Sequence, residues 1–287
     1  MRLTFQMWHR ILTSLSLTYK ATNNADEIAS TMQVFMINSI FSSKKHVVAL
    51  FPVINLNTAT LVKFVNQVLK MLHDVGFIVV TLISDNNRVN RNAFEALCGG
   101  KLKISIPNPY KEDEQLFFLF DTVHILKCVR NNFLNQKIPA QTFVFPSENG
   151  EPIQASLKPL KEIYHEEKSK MVKLAPALSE KVLYPTNLER QNVQYAVRLF
   201  DEKNIAALQI KNAEGSAALV TFLSKMLKWW RIVNIKHPFK GTRLRLEDCQ
   251  PIKNKSDHDP NLIFLKQFSE WLQNWENFNQ LVNERVN

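Results

Sequence analysis

Residues 77–87 read Phe-Ile-Val-Val-Thr-Leu-Ile-Ser-Asp-Asn-Asn. The first part, Phe77 to Ile83, is a nearly continuous apolar and β-branched run that ends at Ser84-Asp85, the pattern of a strand buried on both faces. Asp85 therefore sits at a strand's C-terminal end. Upstream, Thr31 to Phe41 and Lys45 to Val53 read as a hairpin joined by a short Ser-Ser-Lys-Lys turn. Between them and the central run, Thr58 to Asp74 places Leu61, Phe64, Val65, Val68, Leu69 and Leu72 at helical spacing, with Asn57 or Thr58 as cap and Gly76 as stop. Downstream, Arg88 to Leu97 reads as a helix broken by Gly99-Gly100. Gln115 to Phe120 reads as a second buried strand ending in Asp121, followed by a basic helix from His124 to Asn132. Hairpin, helix, strand, helix and strand make a mixed α/β layer with carboxylates at the ends of adjacent strands.

Beyond Gln136 the character changes. Pro139, Pro146, Pro152 and Pro159 punctuate what reads as a loop-rich crossing, and helical patterns then span Leu157 to Lys173, Leu188 to Glu202, Ala213 to Asn234 and Asn261 to Val286. The expected organisation is an α/β domain over 1–125 and a mostly α-helical domain over 126–287.

Composition narrows the function classes. Six glycines in 287 residues argue against glycine-rich nucleotide cradles, and 19 phenylalanines supply most of the aromatic core. The net charge of +10 favours a polyanionic partner through phosphate neutralisation. The excess is concentrated in the second half, with 12 basic and 9 acidic residues before Ile125 against 24 and 17 from there on. Cys98, Cys128 and Cys249 are too scattered for a disulfide framework or a C-x-x-C metal site, which fits a reducing compartment. No apolar run reaches membrane-spanning length, and polar residues are spread too evenly through Met1 to Tyr19 for a secretion signal, so the expectation is an intracellular protein with no membrane partner.

Several groupings invite chemistry. Paired strand-end carboxylates such as Asp85 and Asp121 can hold divalent ions against phosphate, although spacing alone favours their capping the following helices. His124 and Cys128 share a helix face but lack two further zinc ligands, so packing explains them better. Asn254-Lys255-Ser256-Asp257 matches a guanine-reading tetrapeptide, but no phosphate loop accompanies it. Lys236, Lys240, Arg243 and Arg245 follow Trp229-Trp230, a basic ribbon beside aromatics that suits DNA phosphates or a solvated surface about equally. Trp271 and Trp275, four apart, read as core.

Five strings taken together resemble the P-element transposase family, which includes the THAP-domain transposases. They are VFMINSIF from Val34, ISDNNRVNRNAF from Ile83, FDTVHILKCVRNNFL from Phe120, EGSAALVTFLSKMLKWWRIVNIKHPFKGTRLR from Glu214, and LIFLKQFSEWLQNW from Leu262. Their order and spacing cover about residues 30–280. The resemblance implies a partial RNase H-like mixed sheet with flanking helices, followed by a mostly α-helical insertion domain of the GTP-binding type. It also implies Mg2+ and GTP as cofactors, DNA as partner, homo-oligomeric assembly and a nuclear location. By the same resemblance Asp85 is a catalytic, metal-binding carboxylate, Val193 and Asn234 belong to a nucleotide pocket, and Lys236, Lys240, Arg243 and Arg245 face DNA.

The departures from the family pattern set the functional expectation. Where the family has a strand of the type Phe-Asp-Glu-Met, this chain has Leu3-Thr4-Phe5-Gln6-Met7, and the family's final Glu would fall beyond Asn287. A basic residue of the nucleotide string is replaced by Asn192, and an acidic position near Asn234 by Arg231. The cysteines cannot build a THAP finger. One carboxylate of three supplies too few anionic oxygens for two Mg2+ ions. The expectation is therefore a truncated or domesticated transposase-like protein that associates with DNA and is catalytically inactive as this chain. The alternatives are a piece of an active Mg2+-dependent DNA transposase, or a domesticated nucleic-acid- or protein-binding module.

Overall fold

The computed structural model describes residues 29–40, 42–135, 137, 141–212, 215–235, 239–252 and 258–286. Two compact units, Met1–Asp121 and Thr122–Asn287, divide the chain.

In the first unit the antiparallel hairpin forms as expected from β1 (Thr31–Asn38) and β2 (Lys45–Val53), with a register shift between Phe35 and Met36. Helix α1 (Thr58–Asp74) is capped by Asn57, whose side chain accepts from Thr60 N at 2.9 Å, and stops where Gly76 takes φ +87°. β3 (Thr81–Ser84), α2 (Arg88–Leu97), β4 (Ser105–Pro107) and β5 (Gln115–Phe120) complete the unit, with β5 central in a three-stranded sheet, parallel to β3 and antiparallel to β4. One helix closes both sheets. Leu61, Val65 and Leu69 of α1 pack with Phe94, Leu116 and Phe118, while Val68 and Leu72 pack with Val48, Ala49 and Phe51, and Phe35 and Val79 touch both groups. Full burial of each Leu, Val or Phe among them contributes about 1.5–3 kcal/mol.

Two features of the central run differ from expectation. The strand covers Thr81–Ser84 rather than beginning at Phe77, because the preceding residues are committed elsewhere. Phe77 N donates to Leu72 O at 2.8 Å as the helix ends, and Val79 O accepts from the Asn108 side chain at 2.9 Å. Nor is the sheet buried on both faces. Leu116 and Phe118 are buried, whereas Ile83, Phe117 and Leu119 on the other side are exposed, as are Met36 and Leu50 of the hairpin. The apolar run thus marks a sheet with one covered face.

The second unit opens with α3 (Thr122–Phe133). The proline-punctuated stretch is not a loop crossing. It contains a second hairpin, β6 (Thr142–Pro146) and β7 (Pro152–Ser156), in which Pro146 pairs with Pro152 next to the turn, so the missing N–H groups fall at the end of the ladder. Pro159 sits in the first turn of α4 (Lys158–Glu167), where its missing N–H costs nothing. Then follow α5 (Glu180–Leu183), a 3-10 turn (Glu189–Gln191), α6 (Val193–Leu199), α7 (Glu202–Lys211), α8 (Ser216–Val233), α9 (Lys240–Leu244), a second 3-10 turn (Glu247–Cys249) and α10 (Pro260–Val286). The expected helix over Leu188 to Glu202 is therefore broken in two places. Asn192 and Asp201 each turn a side-chain oxygen onto a backbone N–H two residues ahead and start new helices. Phe222 lies at the centre of the core, with Phe133, Phe143, Phe145, Phe200 and Trp275 around it. Trp271 and Trp275 pack, partly buried, against this core, and Trp275 Nε1 donates to Val144 O at 2.7 Å.

Candidate functional site

The parallel pairing of β3 with β5 matches Ser84 to Phe120, so Asp85 and Asp121 leave adjacent strands at the same end of the sheet. Asp121 N also donates to Ser84 O at 2.8 Å. The strand ends are the place where an open α/β sheet presents ligand-binding groups. Asp85 is partly buried, and its Oδ1 accepts from Asn90 Nδ2 at 2.7 Å and from Asn87 N at 3.3 Å. Asn87 in turn caps α2 through Asn90 N at 2.9 Å. Asp85 therefore ties the strand end to the first turn of the next helix. Asp85→Ala is expected to lower stability by about 1 kcal/mol. A denaturation midpoint equal to that of the parent chain would show that this bridge contributes nothing.

Among the described residues, no three His, Cys, Asp or Glu side chains gather into a cation-holding group. Hard divalent ions need several anionic or carbonyl oxygens, and Asp85, with one oxygen turned inward to Asn90, does not supply such a shell. The described residues do not fit an Mg2+ site. His124 and Cys128 likewise belong to no such group.

The nucleotide candidates lie at helix ends in the second unit. Val193 opens α6, and Asn234 closes α8, its N–H donating to Trp230 O at 3.0 Å. Near this end Arg231 forms an ion pair with Glu202, and a guanidinium cannot accept from guanine N–H groups, so the residue present at 231 does not fit a guanine base.

Of the basic ribbon, Arg243 and Arg245 are exposed around α9, and Arg245 takes φ +54° as that helix ends. Lys240 begins α9, and Lys236 lies outside the described residues, as does the Asn254 to Asp257 tetrapeptide. Trp230 is buried and Trp229 stacks on Phe268 with centroids 6.3 Å apart, so the tryptophan pair serves packing.

Sequence reasoning missed a cavity of about 560 Å³ walled by α4 and the turns before α6. Lys158, Lys161 and His165 reach it from α4, and Arg190 reaches it from the 3-10 turn. The readable signal was the spacing of these α4 residues, three and four apart on one helix face. Neither Val193 nor Asn234 lines this cavity. Fully buried Arg130 fixes the Arg190 segment, its Nη2 donating to Arg190 O at 3.0 Å and Asn192 O at 3.3 Å. Burial, and after it the charge of Arg190, pulls the Arg130 guanidinium below the usual arginine range.

A family described as TNP-like, RNase H N-terminal domain, matches residues 10–98. The transposable element P transposase of Drosophila melanogaster is 23% identical over 206 residues, which is 69% of this chain and 25% of that protein. The solved Drosophila P element transposase strand transfer complex superposes with a TM-score of 0.59 at 18% identity, covering 86% of this chain and 59% of that one. The chain spans about a quarter of the length of the curated relative. Its fold is RNase H-like and its sequence is similar to P element transposase. No helix among the described residues is long and apolar enough to cross a membrane.

Proposed function

We propose that this transposase-like chain works at DNA, holding it through the basic second unit without performing strand chemistry by itself. The observation that carries the reading is the parallel β3–β5 pair, which sets Asp85 beside Asp121 in a fold similar to a strand transfer complex. On this reading Asp85 holds the place of a catalytic, metal-facing carboxylate, and Val193 and Asn234 are remnants of a nucleotide pocket. Lys236, Lys240, Arg243 and Arg245 are the DNA contacts. Assembly with further copies and a nuclear location belong to the same proposal.

The reading is tested by the salt dependence of DNA affinity. Each phosphate neutralised on a duplex releases counterions worth about 0.9 in the slope of log affinity against log salt. Changing all four basic residues to Gln is expected to flatten that slope by about 3 to 4 and to weaken binding alike for all sequences. An unchanged slope would move the contact surface elsewhere, and affinity insensitive to salt would remove the DNA reading.

A further inference from the structure

We propose that the loop leaving α4 is a wedge that enters the DNA minor groove and parts two stacked base pairs. The wedge rests on the DNA reading above and adds to it a contact made with bases rather than with phosphates. Residues 168–174 read Lys-Ser-Lys-Met-Val-Lys-Leu. Met171 is fully exposed, Val172 is 85% exposed, and Leu174 is exposed as well. Lys168, Lys170 and Lys173 flank this apolar tip.

The tip stands on a firm base. Lys168 N donates to Tyr164 O and Lys170 N donates to Glu167 O, both at 2.9 Å, so the chain turns as α4 ends. On the returning arm, Ala175 N donates to Glu167 Oε2 at 3.1 Å. Glu167 is buried, a placement that a carboxylate tolerates where hydrogen bonds replace its water, and it clamps both arms of the loop. Ala175 and Leu178 then join the core of the unit. A protrusion fixed in advance loses little conformational freedom on binding.

The composition of the tip selects its partner. None of the three lysines forms an ion pair among the described residues. Glu166 is bound to Lys211, which chiefly holds its carboxyl below the usual range, with the charge of Lys170 adding to the effect. Lysine is depleted at the cores of protein interfaces, so three of them around so small an apolar tip disfavour a protein partner. A lipid surface takes up a broad apolar face, which these few side chains do not offer. Minor-groove proteins combine the same two elements: cations that neutralise phosphates, and a Met or similar side chain that slides between base pairs and kinks the duplex.

The test uses a duplex of about 20 base pairs with 2-aminopurine at a central TA step, which unstacks readily. The base brightens on unstacking, so titration of the full chain at several salt concentrations reads affinity and wedging together. The parent chain is expected to brighten the probe, and netropsin, which fills the minor groove, to prevent it. Met171→Ala combined with Val172→Ala should abolish the brightening and weaken binding about tenfold while keeping the salt slope. Changing Lys168, Lys170 and Lys173 to Gln should flatten that slope by about 2 to 3. All five positions lie outside the core. Salt-dependent binding without brightening, or brightening that survives the alanine pair or netropsin, overturns the wedge and leaves the DNA reading standing. Absence of salt-dependent DNA binding removes that reading and the wedge with it. Sedimentation with phosphatidylserine vesicles that depends on Met171 and Val172, in place of the DNA signal, would assign the loop to a lipid surface and overturn the wedge as well.

Discussion

Phe222→Ala is expected to remove about 3–5 kcal/mol from the second unit, enough to leave a large share of it unfolded at room temperature. Phe222 is only 1% exposed and sits on the core-facing side of α8. Its ring centroid is 5.2 Å from Phe133, 5.4 Å from Phe143 and 6.3 Å from Trp275. These partners come from α3, β6 and α10, so a single side chain joins the start, the hairpin and the end of the unit. Truncation loses the transfer energy of the ring and leaves a cavity that rigid aromatic neighbours cannot close. Urea denaturation followed by tryptophan fluorescence, to which Trp229, Trp230, Trp271 and Trp275 of this unit contribute, would measure the loss. A change below about 1 kcal/mol would mean that the ring cluster rearranges freely and that this core is not close-packed.

The same cluster shows what could be read from the chain and what could not. The spacing of Leu61, Val65, Val68, Leu69 and Leu72 predicts α1 to the residue, because an amphipathic helix writes its buried face into local periodicity and its ends into Asn57 and Gly76. The run from Phe77 to Ile83 also predicts a strand, but not how much of it joins a ladder. Phe77 answers to the end of α1 five residues back, and Val79 to the Asn108 side chain, a contact made across 29 residues of sequence. The hairpin of β6 and β7 was hidden by its prolines, whose meaning changes with their place in a ladder. The break between α6 and α7 was written in Asp201, a capping residue inside a stretch whose apolar pattern favoured one long helix.

The candidate sites were legible in the same uneven way. Asp85 and Asp121 both stand out because a carboxylate after an apolar run is a local signal, and strand pairing is what sets them side by side. The α4 cavity needs Lys161, Arg190 and Tyr184 together, and these come from separate turns of the chain. Only the α4 face carrying Lys158, Lys161 and His165 could have announced it. A charge excess spread over the second half could not point there, because surface lysines and a lined cavity contribute equally to net charge.

The basic ribbon rests on a backbone contact that has no room for a side chain, and Gly241→Ala is therefore expected to cost about 3 kcal/mol. A Cβ on Gly241 would lie 2.6 Å from both Cys249 C and Cys249 O and 2.7 Å from Gln250 N. All three are backbone atoms, so no rotamer change relieves the contact. The segment opposite cannot retreat easily. Cys249 is buried, Leu246 N donates to Gly241 O at 2.9 Å, and Asp248 pairs with Lys228 of α8 at 3.6 Å. The strain should shift α9 and with it Arg243 and Arg245, which flank the glycine's helix end. On the proposed DNA-binding reading, the variant should consequently lose DNA affinity in parallel with stability although no charge has been removed. If its salt slope stays at the parent value while its melting midpoint falls, α9 does not orient the phosphate contacts. If both fall together, the packing of Gly241 against Cys249 is what presents the basic ribbon to its partner.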